Sequence, residues 1–159
     1  MYTVKVKTDD NNIQLPQYET NMASGLDIRA WKYSLPSNLK EVLNFPKEGF
    51  ILNPHERILV KTGIHVELPQ NKEIQVRPRS GLSLKHGITC ANAIGTIDED
   101  YRGDIGVILL NTSNTPFKIM EGDRIGQLVM MSVDKFTWEV VENLSNTNRG
   151  ENGYGSTGK

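Results

Sequence analysis

Residues 95–103 have the sequence Gly-Thr-Ile-Asp-Glu-Asp-Tyr-Arg-Gly and lie between two apolar runs, residues 91–94 and 105–110. Two strand-like runs joined by a short polar segment predict a β-hairpin with its charged residues at the tip. Side chains alternate along a strand, so Asp98 and Tyr101 can line one pocket only if the chain turns between them. The Asp-Glu-Asp run favours such a turn. An acidic, solvated hairpin tip is the alternative interpretation.

Alternating apolar residues predict further strands on both sides of this stretch. They occur at residues 2–7, 26–30, 57–68, 72–76 and 122–129, and at Phe136, Trp138 and Val140. Residues 31–50 show no clear pattern, and within them residues 39–43 fit either a helical turn or a strand. Many short strands without a convincing long helix predict an all-β sandwich or barrel.

Composition describes an ordinary globular chain. Its 159 residues, 37% hydrophobic and 23% charged, fit one domain. The net charge of -1 provides no global field for nucleic acid or an anionic membrane, so an anion site must be built locally. No segment has membrane-spanning length, and the first residues alternate like a strand rather than a signal peptide. A cytoplasmic location is therefore expected.

The thiol and imidazole groups predict neither a zinc site nor a nucleophile. His55, His65 and His86 are far apart and lack metal-ligand spacing. Cys90 is the only cysteine and lies in the apolar run 88–94. A buried, inert thiol is favoured there over a reactive one.

A candidate anion site follows the strand predicted at residues 72–76. Pro78 and Gly81 end the strand, and a hydroxyl at Ser80 beside a glycine allows backbone N–H and Oγ to approach a ligand closely. Arg79 adds planar donors that match phosphate oxygens. A plain turn with surface arginines is the alternative.

Polar residues also interrupt two of the predicted strands. Asp27 and Arg29 share the face opposite to the apolar one, where an exposed ion pair would contribute little. Gln127 lies among apolar neighbours, and a buried amide needs partners. It therefore either bonds backbone groups or faces a site.

The C-terminal segment differs in composition from the rest. Residues 143–159 are rich in Asn, Gly, Ser and Thr, and we expect them to be mobile when nothing is bound. The end matches most of a GxxxxGK pattern, but without a following helix it is not a P-loop. Glycine-exposed amides with the cation of Arg149 still suit phosphate, and Tyr154 could stack on a base. A disordered, solubilising end is the alternative.

These five segments, in this order, resemble the five motifs of trimeric dUTPases (dUTP nucleotidohydrolases) over nearly the whole chain. The specific matches are Arg-Ser-Gly at residues 79–81, Asp-x-Asp-Tyr-x-Gly at 98–103 and Arg-Gly-x-x-Gly-aromatic-Gly-Ser-Thr-Gly at 149–158. The resemblance implies a jelly-roll-like β-barrel at residues 1–142 with a mobile arm at residues 143–159. It also implies a homotrimer with three active sites at subunit interfaces.

The resemblance implies hydrolysis of dUTP to dUMP and pyrophosphate with Mg²⁺. This reaction limits uracil incorporation into DNA and supplies dUMP for thymidylate synthesis. Asp98 would activate the attacking water and meet the sugar 3′-hydroxyl. Tyr101 would pack on the deoxyribose and exclude a 2′-hydroxyl, while Asn92 and the backbone around Gly95 would pair with uracil.

The remaining roles concern the phosphates. Asp27 would support the arginines of the site rather than do chemistry. Mg²⁺ is expected to be held mostly by the triphosphate and water, so no protein ligand is assigned. Phosphate oxygens would be bound by Arg79, Ser80 and Gly81, and from the arm by Arg149, Gly155, Ser156 and Thr157, with Tyr154 covering the uracil. Gln127 would bind phosphate or the attacking water.

The sequence departs from the family pattern at three places. Tyr154 replaces the usual phenylalanine, Asn152 stands where a glycine is common, and residues 31–50 look longer than usual. Three rival functions are a dCTP deaminase of the same fold, a non-catalytic trimer acting as a regulator and a general nucleoside triphosphate pyrophosphatase. The complete arm argues against the first, and intact Asp98 argues against the second.

Overall fold

The structure, a computed structural model, describes residues 2–153. Within this range the chain forms thirteen β-strands and one short α-helix, which confirms the predicted all-β class. In chain order they are β1 (Lys5–Thr8), β2 (Leu26–Arg29), β3 (Lys32–Leu35), β4 (Asn38–Asn44), β5 (Phe50–Leu52), β6 (Arg57–Lys61), β7 (Ile64–Glu67), β8 (Lys72–Arg77), α1 (Ser80–His86), β9 (Ile88–Cys90), β10 (Gly95–Ile97), β11 (Gly106–Asn111), β12 (Phe117–Ile119) and β13 (Arg124–Ser132).

Two antiparallel sheets build the body of the protein. One has the strand order β10-β8-β13-β2 and the other β4-β3-β6-β11-β9, while β1 pairs with β7 and β12 with β5. Alternate side chains of both sheets are buried in one apolar core, as expected for a sandwich. Members of this core are Ile28, Val76 and Leu128 from the first sheet and Val60, Val107 and Leu109 from the second.

The acidic segment does not join two paired strands, so the predicted hairpin is wrong. β10 pairs with β8, with Gly95 opposite Val76, whereas β11 pairs with β6 and β9. Ile97 and Val107 therefore enter the core from different sheets. Residues 98–104, which we call the acidic loop, cross from one sheet to the other. Alternation identifies a strand but not its partner, which is why the sequence could not distinguish the two arrangements.

A short helix follows β8 where the sequence predicted only a strand break or turn. α1 buries none of its residues, so it carries no apolar stripe that would have indicated a helix. It ends at Gly87, whose φ of 67° is left-handed and suits glycine. Across residues 2–153, no helix has the length and apolar character needed to cross a membrane.

No strand forms at residues 136–140, so the last predicted strand is wrong. The side chains of Phe136, Trp138 and Val140 are 74%, 86% and 97% exposed. The alternation is strand-like, but in the part of the chain that the structure describes these residues have no neighbouring strand to bond.

Two ambiguous regions are settled by the structure. Residues 39–43 belong to the strand β4, not to a helical turn. The predicted strand at residues 57–68 is divided into β6 and β7 by Gly63, whose φ is +67°. A Cβ at this glycine would also collide with Ile13 and Trp31, so only glycine fits the turn.

Asn111 is a fully buried polar residue at the end of β11. Its Nδ2 donates to the carbonyls of Leu52 (3.0 Å) and Thr115 (2.8 Å). Its Oδ1 accepts from the N–H (2.9 Å) and the hydroxyl (2.8 Å) of Ser113. The side chain thereby ties the end of β5 to the loop after β11.

We expect Asn111→Leu to lower the free energy of unfolding by about 3 kcal/mol, because the carbonyl of the buried Leu52 loses its side-chain donor and the loop after β11 loses its tie to β5. Urea denaturation followed by circular dichroism measures the change. Asn114→Ala, an exposed substitution in the same loop, is the control and should change it by less than about 0.5 kcal/mol. A loss below about 1 kcal/mol for Asn111→Leu would contradict the assigned role.

Candidate active site

Asp27 on β2 holds two arginines from distant parts of the chain. Arg79 Nε donates to Asp27 Oδ1 at 3.1 Å and Arg79 Nη2 lies 3.1 Å from Oδ2, a bidentate pair. Arg124 Nη1 lies 3.3 Å from the same Oδ2. The Asp27 side chain is only 16% exposed. Arg29 instead donates to the carbonyl of Gly122 at 2.8 Å, so the exposed Asp27–Arg29 pair does not form.

A cavity of about 310 Å³ opens beside this ion pair. Arg79, Ser80, Gly81 and Gln127 all line it, so the structure brings these four predicted site residues together. β13 places Gln127 opposite Asp27 on β2, which directs the amide to the same region. Of the two alternatives left by the sequence for Gln127, the structure favours facing a site.

Gly81 leaves room on the cavity side of α1. A Cβ built at this position would meet no atom within 4 Å. Glycine within a helix costs about 1 kcal/mol relative to alanine, and no packing among residues 2–153 requires it here. Arg79, the residue before the helix, makes no side-chain cap. Its guanidinium instead bonds Asp27 beside the cavity. An uncrowded glycine leaves the backbone accessible to a ligand.

The acidic loop turns between Asp98 and Tyr101, as the sequence predicted. The Tyr101 N–H donates to the Asp98 carbonyl at 3.2 Å. The Tyr101 hydroxyl donates to the Asp104 carbonyl at 3.0 Å, which folds the ring over Gly103. A Cβ at Gly103 would overlap the ring in this position, so a larger residue would displace Tyr101. The Asp98 side chain remains exposed.

Buried hydrogen bonds attach the end of the acidic loop to the β6–β7 turn. The Asp104 carboxylate accepts from the Gly63 N–H (2.9 Å) and from the hydroxyl (3.2 Å) and N–H (3.3 Å) of Thr62. Lys61 Nζ lies 3.8 Å away. Burial raises the pKa of Asp104, although Lys61 and the hydrogen bonds from Thr62 and Gly63 oppose the shift. These contacts fix the backbone of the acidic loop at Asp104, close to Tyr101.

The two residues predicted to meet uracil lie together. Gly95 is buried on β10 opposite Val76, whereas Asn92 is exposed in the turn before that strand. A Cβ at Gly95 would lie 3.2 Å from Asn92 Nδ2 and from Val76 Cβ. The amide of Asn92 therefore covers the Gly95 backbone, and a larger residue at 95 would displace it.

The acidic loop and the cavity lie at opposite ends of β8. Ile97 pairs with Ile74 near the start of β8, and Asp98 follows immediately. Arg79 comes after Arg77, at the other end. The six residues of β8 span roughly 17 Å. One chain therefore does not bring Asp98 to Arg79.

The predicted arm residues are only partly described. Arg149 is exposed, and its Nε donates to the Asn152 carbonyl at 2.9 Å within a local turn. Four predicted residues lie outside the described part of the chain: Tyr154, Gly155, Ser156 and Thr157.

Sequence reasoning missed Arg124, Glu19 and Asp104. Arg124 contacts both Asp27 and, at 3.7 Å, Glu19. The sequence offered one signal for Arg124, a cation three positions before Gln127 in a segment already singled out. Glu19 and Asp104 could not be found, because their roles depend on long-range contacts.

Comparison with known proteins identifies the family of the chain. The family model described as dUTPase matches residues 43–158. A Fusobacterium nucleatum protein named deoxyuridine 5'-triphosphate nucleotidohydrolase is 45% identical, with 100% of both chains covered. A Treponema denticola protein of the same name is 47% identical over 91% of this chain and 90% of its own.

Solved structures show the same fold. The dUTPase of Staphylococcus bacteriophage 80alpha, solved with dUPNHPP, superposes with a TM-score of 0.79 at 24% identity, covering 100% of both chains. A mutant dUTPase from phage phi11 of S. aureus, whose structure reveals the coordination of a structural Mg(II) ion, has a TM-score of 0.73 at 21% identity and covers 91% of this chain and 100% of its own. The predicted jelly-roll type of β-fold is confirmed. The chain belongs to the dUTPase family.

We expect Cys90 to react with iodoacetamide at pH 8 at least about 100-fold more slowly in the folded protein than in urea. The residue is buried at 3% exposure, and burial raises the pKa of its thiol to about 11. Mass spectrometry of timed samples measures the alkylation rate. Rapid alkylation without unfolding would contradict an inert, buried thiol.

Proposed function

We propose that this chain hydrolyses dUTP to dUMP and pyrophosphate. The observation that carries this is the cavity beside Asp27, where Arg79, Ser80, Gly81 and Gln127 converge. Guanidinium, hydroxyl and backbone N–H groups are the donors that phosphate oxygens accept. Full-length relatives named for this reaction support the assignment. The reaction limits uracil incorporation into DNA and supplies dUMP for thymidylate synthesis, and a cytoplasmic location remains the prediction from sequence.

Asp98 acts as the general base. Its exposed carboxylate begins the acidic loop, and the bond from the Tyr101 N–H to its carbonyl fixes the backbone there. The carboxylate takes a proton from water as the water oxygen bonds to phosphorus and the P–O bond to the leaving pyrophosphate breaks. It also accepts a hydrogen bond from the sugar 3′-hydroxyl.

Tyr101, Asn92 and Gly95 select the nucleoside. The Tyr101 ring, held over Gly103, packs against deoxyribose and leaves no space for a 2′-hydroxyl. Asn92 and the Gly95 backbone, which lie together, pair with the uracil edge. Wrong bases leave these polar groups unpaired, which gives the discrimination.

Mg²⁺ is the cofactor that we propose. Among residues 2–153, no group of three or more His, Cys, Asp and Glu side chains is placed to hold a metal ion. We assign its ligands to phosphate oxygens and water, the usual arrangement for nucleotide-bound Mg²⁺. The bound ion neutralises phosphate charge.

Residues 143–159 serve as an arm that closes on the bound nucleotide. Arg149 is exposed, and its Nε donates to the backbone carbonyl of Asn152. Ser156 and Thr157, with the Gly155 backbone, complete the phosphate contacts, and Tyr154 covers the uracil. Closure excludes water from the reaction.

A homotrimer explains how the separated parts of the site meet. In one chain, Asp98 and Arg79 leave β8 at opposite ends. Copies related by a threefold axis place the acidic loop of one chain against the cavity of another. A complete site then forms only when copies of the chain associate.

Exposed apolar surface supports the same association. Phe136 and Trp138 project from residues 133–153 at 74% and 86% exposure. A groove of about 570 Å³ has a largely apolar lining that includes the exposed side chains of Val6 and Leu15. Apolar patches of this kind mark sites of protein association.

We expect pyrophosphate release with Mg²⁺ to be far faster from dUTP than from dTTP, UTP or dCTP, because the site selects both base and sugar. Ammonia is measured in the dCTP sample, where its release would indicate a deaminase instead. Comparable turnover of all four would indicate a general pyrophosphatase. No pyrophosphate release from any of the four nucleotides by a folded protein would favour the non-catalytic regulator.

We expect Asp98→Asn to retain dUTP binding but to lose nearly all turnover, because the amide cannot accept the proton of water. Calorimetry measures binding and pyrophosphate release measures turnover. Wild-type turnover in the variant would remove Asp98 from the base role.

We expect co-refolded Asp98→Asn and Arg79→Gln chains to recover about a quarter of wild-type turnover, since random mixing leaves that share of inter-chain sites intact. Each variant alone is the control and should be nearly inactive. No recovery after confirmed mixing would show that both residues serve a site within one chain.

A further inference from the structure

His65 on β7 contacts the acidic loop beside Tyr101. Its Nδ1 lies 3.0 Å from the Arg102 carbonyl, and its Nε2 lies 3.0 Å from Asp9 Oδ1. Asp9 is itself fixed, because its N–H donates to the Gly63 carbonyl at 2.9 Å. The imidazole, 19% exposed, therefore links the end of β1 to the loop.

The partners of His65 define its protonation state. A peptide carbonyl and a carboxylate are both acceptors, so both ring nitrogens must carry a proton to make both bonds. Only the imidazolium does so. Burial lowers the pKa of His65, but the bonds to the Arg102 carbonyl and Asp9, together with the charges of Asp9 and Asp104, outweigh it and raise the pKa above 6.5.

Each element next to this imidazole carries charged groups. Asp9 follows β1, Asp104 and the Arg102 side chain belong to the acidic loop, and Lys7 is the β1 residue opposite His65. Lys7 is exposed and well solvated. The Arg102 guanidinium is turned to the carbonyls of its own loop, where its Nη1 donates to Glu99 at 2.7 Å. The carboxylates therefore dominate.

Loss of the proton removes one of the two bonds. A hydrogen bond to a charged group is stronger than one between neutral groups. The neutral ring therefore keeps its N–H on Asp9 and turns a lone pair toward the Arg102 carbonyl. Release of that carbonyl frees the backbone next to Tyr101.

Two carboxylates provide further attachments of the acidic loop among the described residues. Within the turn after Asp98, the Glu99 carboxylate accepts a hydrogen bond from the Asn71 N–H at 2.8 Å. Asp104 holds the β6–β7 turn after Gly103. His65 controls the peptide between them.

We propose that His65 is a positioning residue which, as an imidazolium, fixes the Arg102 carbonyl and hence Tyr101, so that selection for 2′-deoxyribose weakens when the proton is lost. The inference rests on the proposed function, since Tyr101 is the residue that meets the sugar there. His65 touches neither substrate nor reacting atoms. It also stabilises the fold below pH 6.5, and this stability is lost as the pH rises through its raised pKa.

Two amide variants separate the two bonds of His65. His65→Asn places an N–H donor where Nδ1 lies and retains the bond to the Arg102 carbonyl without titrating. His65→Gln places its amide where Nε2 lies, retaining the Asp9 contact and losing the carbonyl. His55→Asn is the matched control, because His55 is exposed with a φ of 63° that asparagine tolerates.

The measurement is the ratio of kcat/KM for dUTP to that for UTP, from pH 6 to pH 9. The substrates differ only in the 2′-hydroxyl, so titration of uracil and phosphates cancels. We expect the wild-type and His55→Asn ratios to fall about fivefold, the factor for one neutral hydrogen bond. His65→Asn should stay at the high value and His65→Gln at the low value. Asp9→Asn should shift the fall to lower pH.

Equal, pH-independent ratios in wild type and both His65 variants would overturn the proposal, as would His65→Gln behaving like wild type. Hydrogen–deuterium exchange of residues 99–104 provides a readout that needs no activity. It should be faster in His65→Gln than in His65→Asn at pH 6, and equal rates would overturn the proposed contact. An inactive wild type with that exchange difference would overturn the proposed function alone.

Discussion

The antiparallel pairing of β8 with two neighbours is the constraint on which the rest of the site depends. β10 lies on one side of this strand and β13 on the other. The first pairing carries the acidic loop to the start of β8, and the second brings Gln127 to its end, beside Arg79. Hydrogen-bond register leaves no freedom in this separation, because a slip by one residue would turn every buried side chain outward. The residues proposed to bind the nucleobase and the phosphates therefore lie in two separate halves of one chain.

Each half is held by ionic groups that are paired where they are buried. Asp27 aligns the guanidinium of Arg79 in a bidentate pair that fixes its plane, and this orientation is what phosphate recognition needs. In the other half, Asp104 accepts hydrogen bonds from the β6–β7 turn, and His65 bridges Asp9 and the loop. Pre-positioned groups lose little entropy when a ligand binds. The same contacts make the acidic loop dependent on β1 and β7, which contribute no proposed substrate contact.

The sequence predicted local chemistry well and long-range pairing poorly. The turn between Asp98 and Tyr101 follows from residue types, and it forms as expected. The supposed hairpin failed, because its two arms find partners in different sheets. Residues 136–140 alternate like a strand, yet within the described chain no neighbour bonds them, so alternation alone did not make one. α1 escaped prediction because it buries no residue and so has no apolar period.

What the sequence by itself determined is the all-β class, the family and the residue types of the site, because alternation and short motifs are properties of neighbouring residues. Only the tertiary structure showed that Asp27 binds Arg79 and Arg124, that Gln127 faces their cavity, and that His65 reaches the acidic loop. Only the tertiary structure showed that the length of β8 separates Asp98 from Arg79. These facts depend on which strands pair and in what register. Pairing and register are stabilised by contacts between residues far apart in the chain, which no local sequence pattern records.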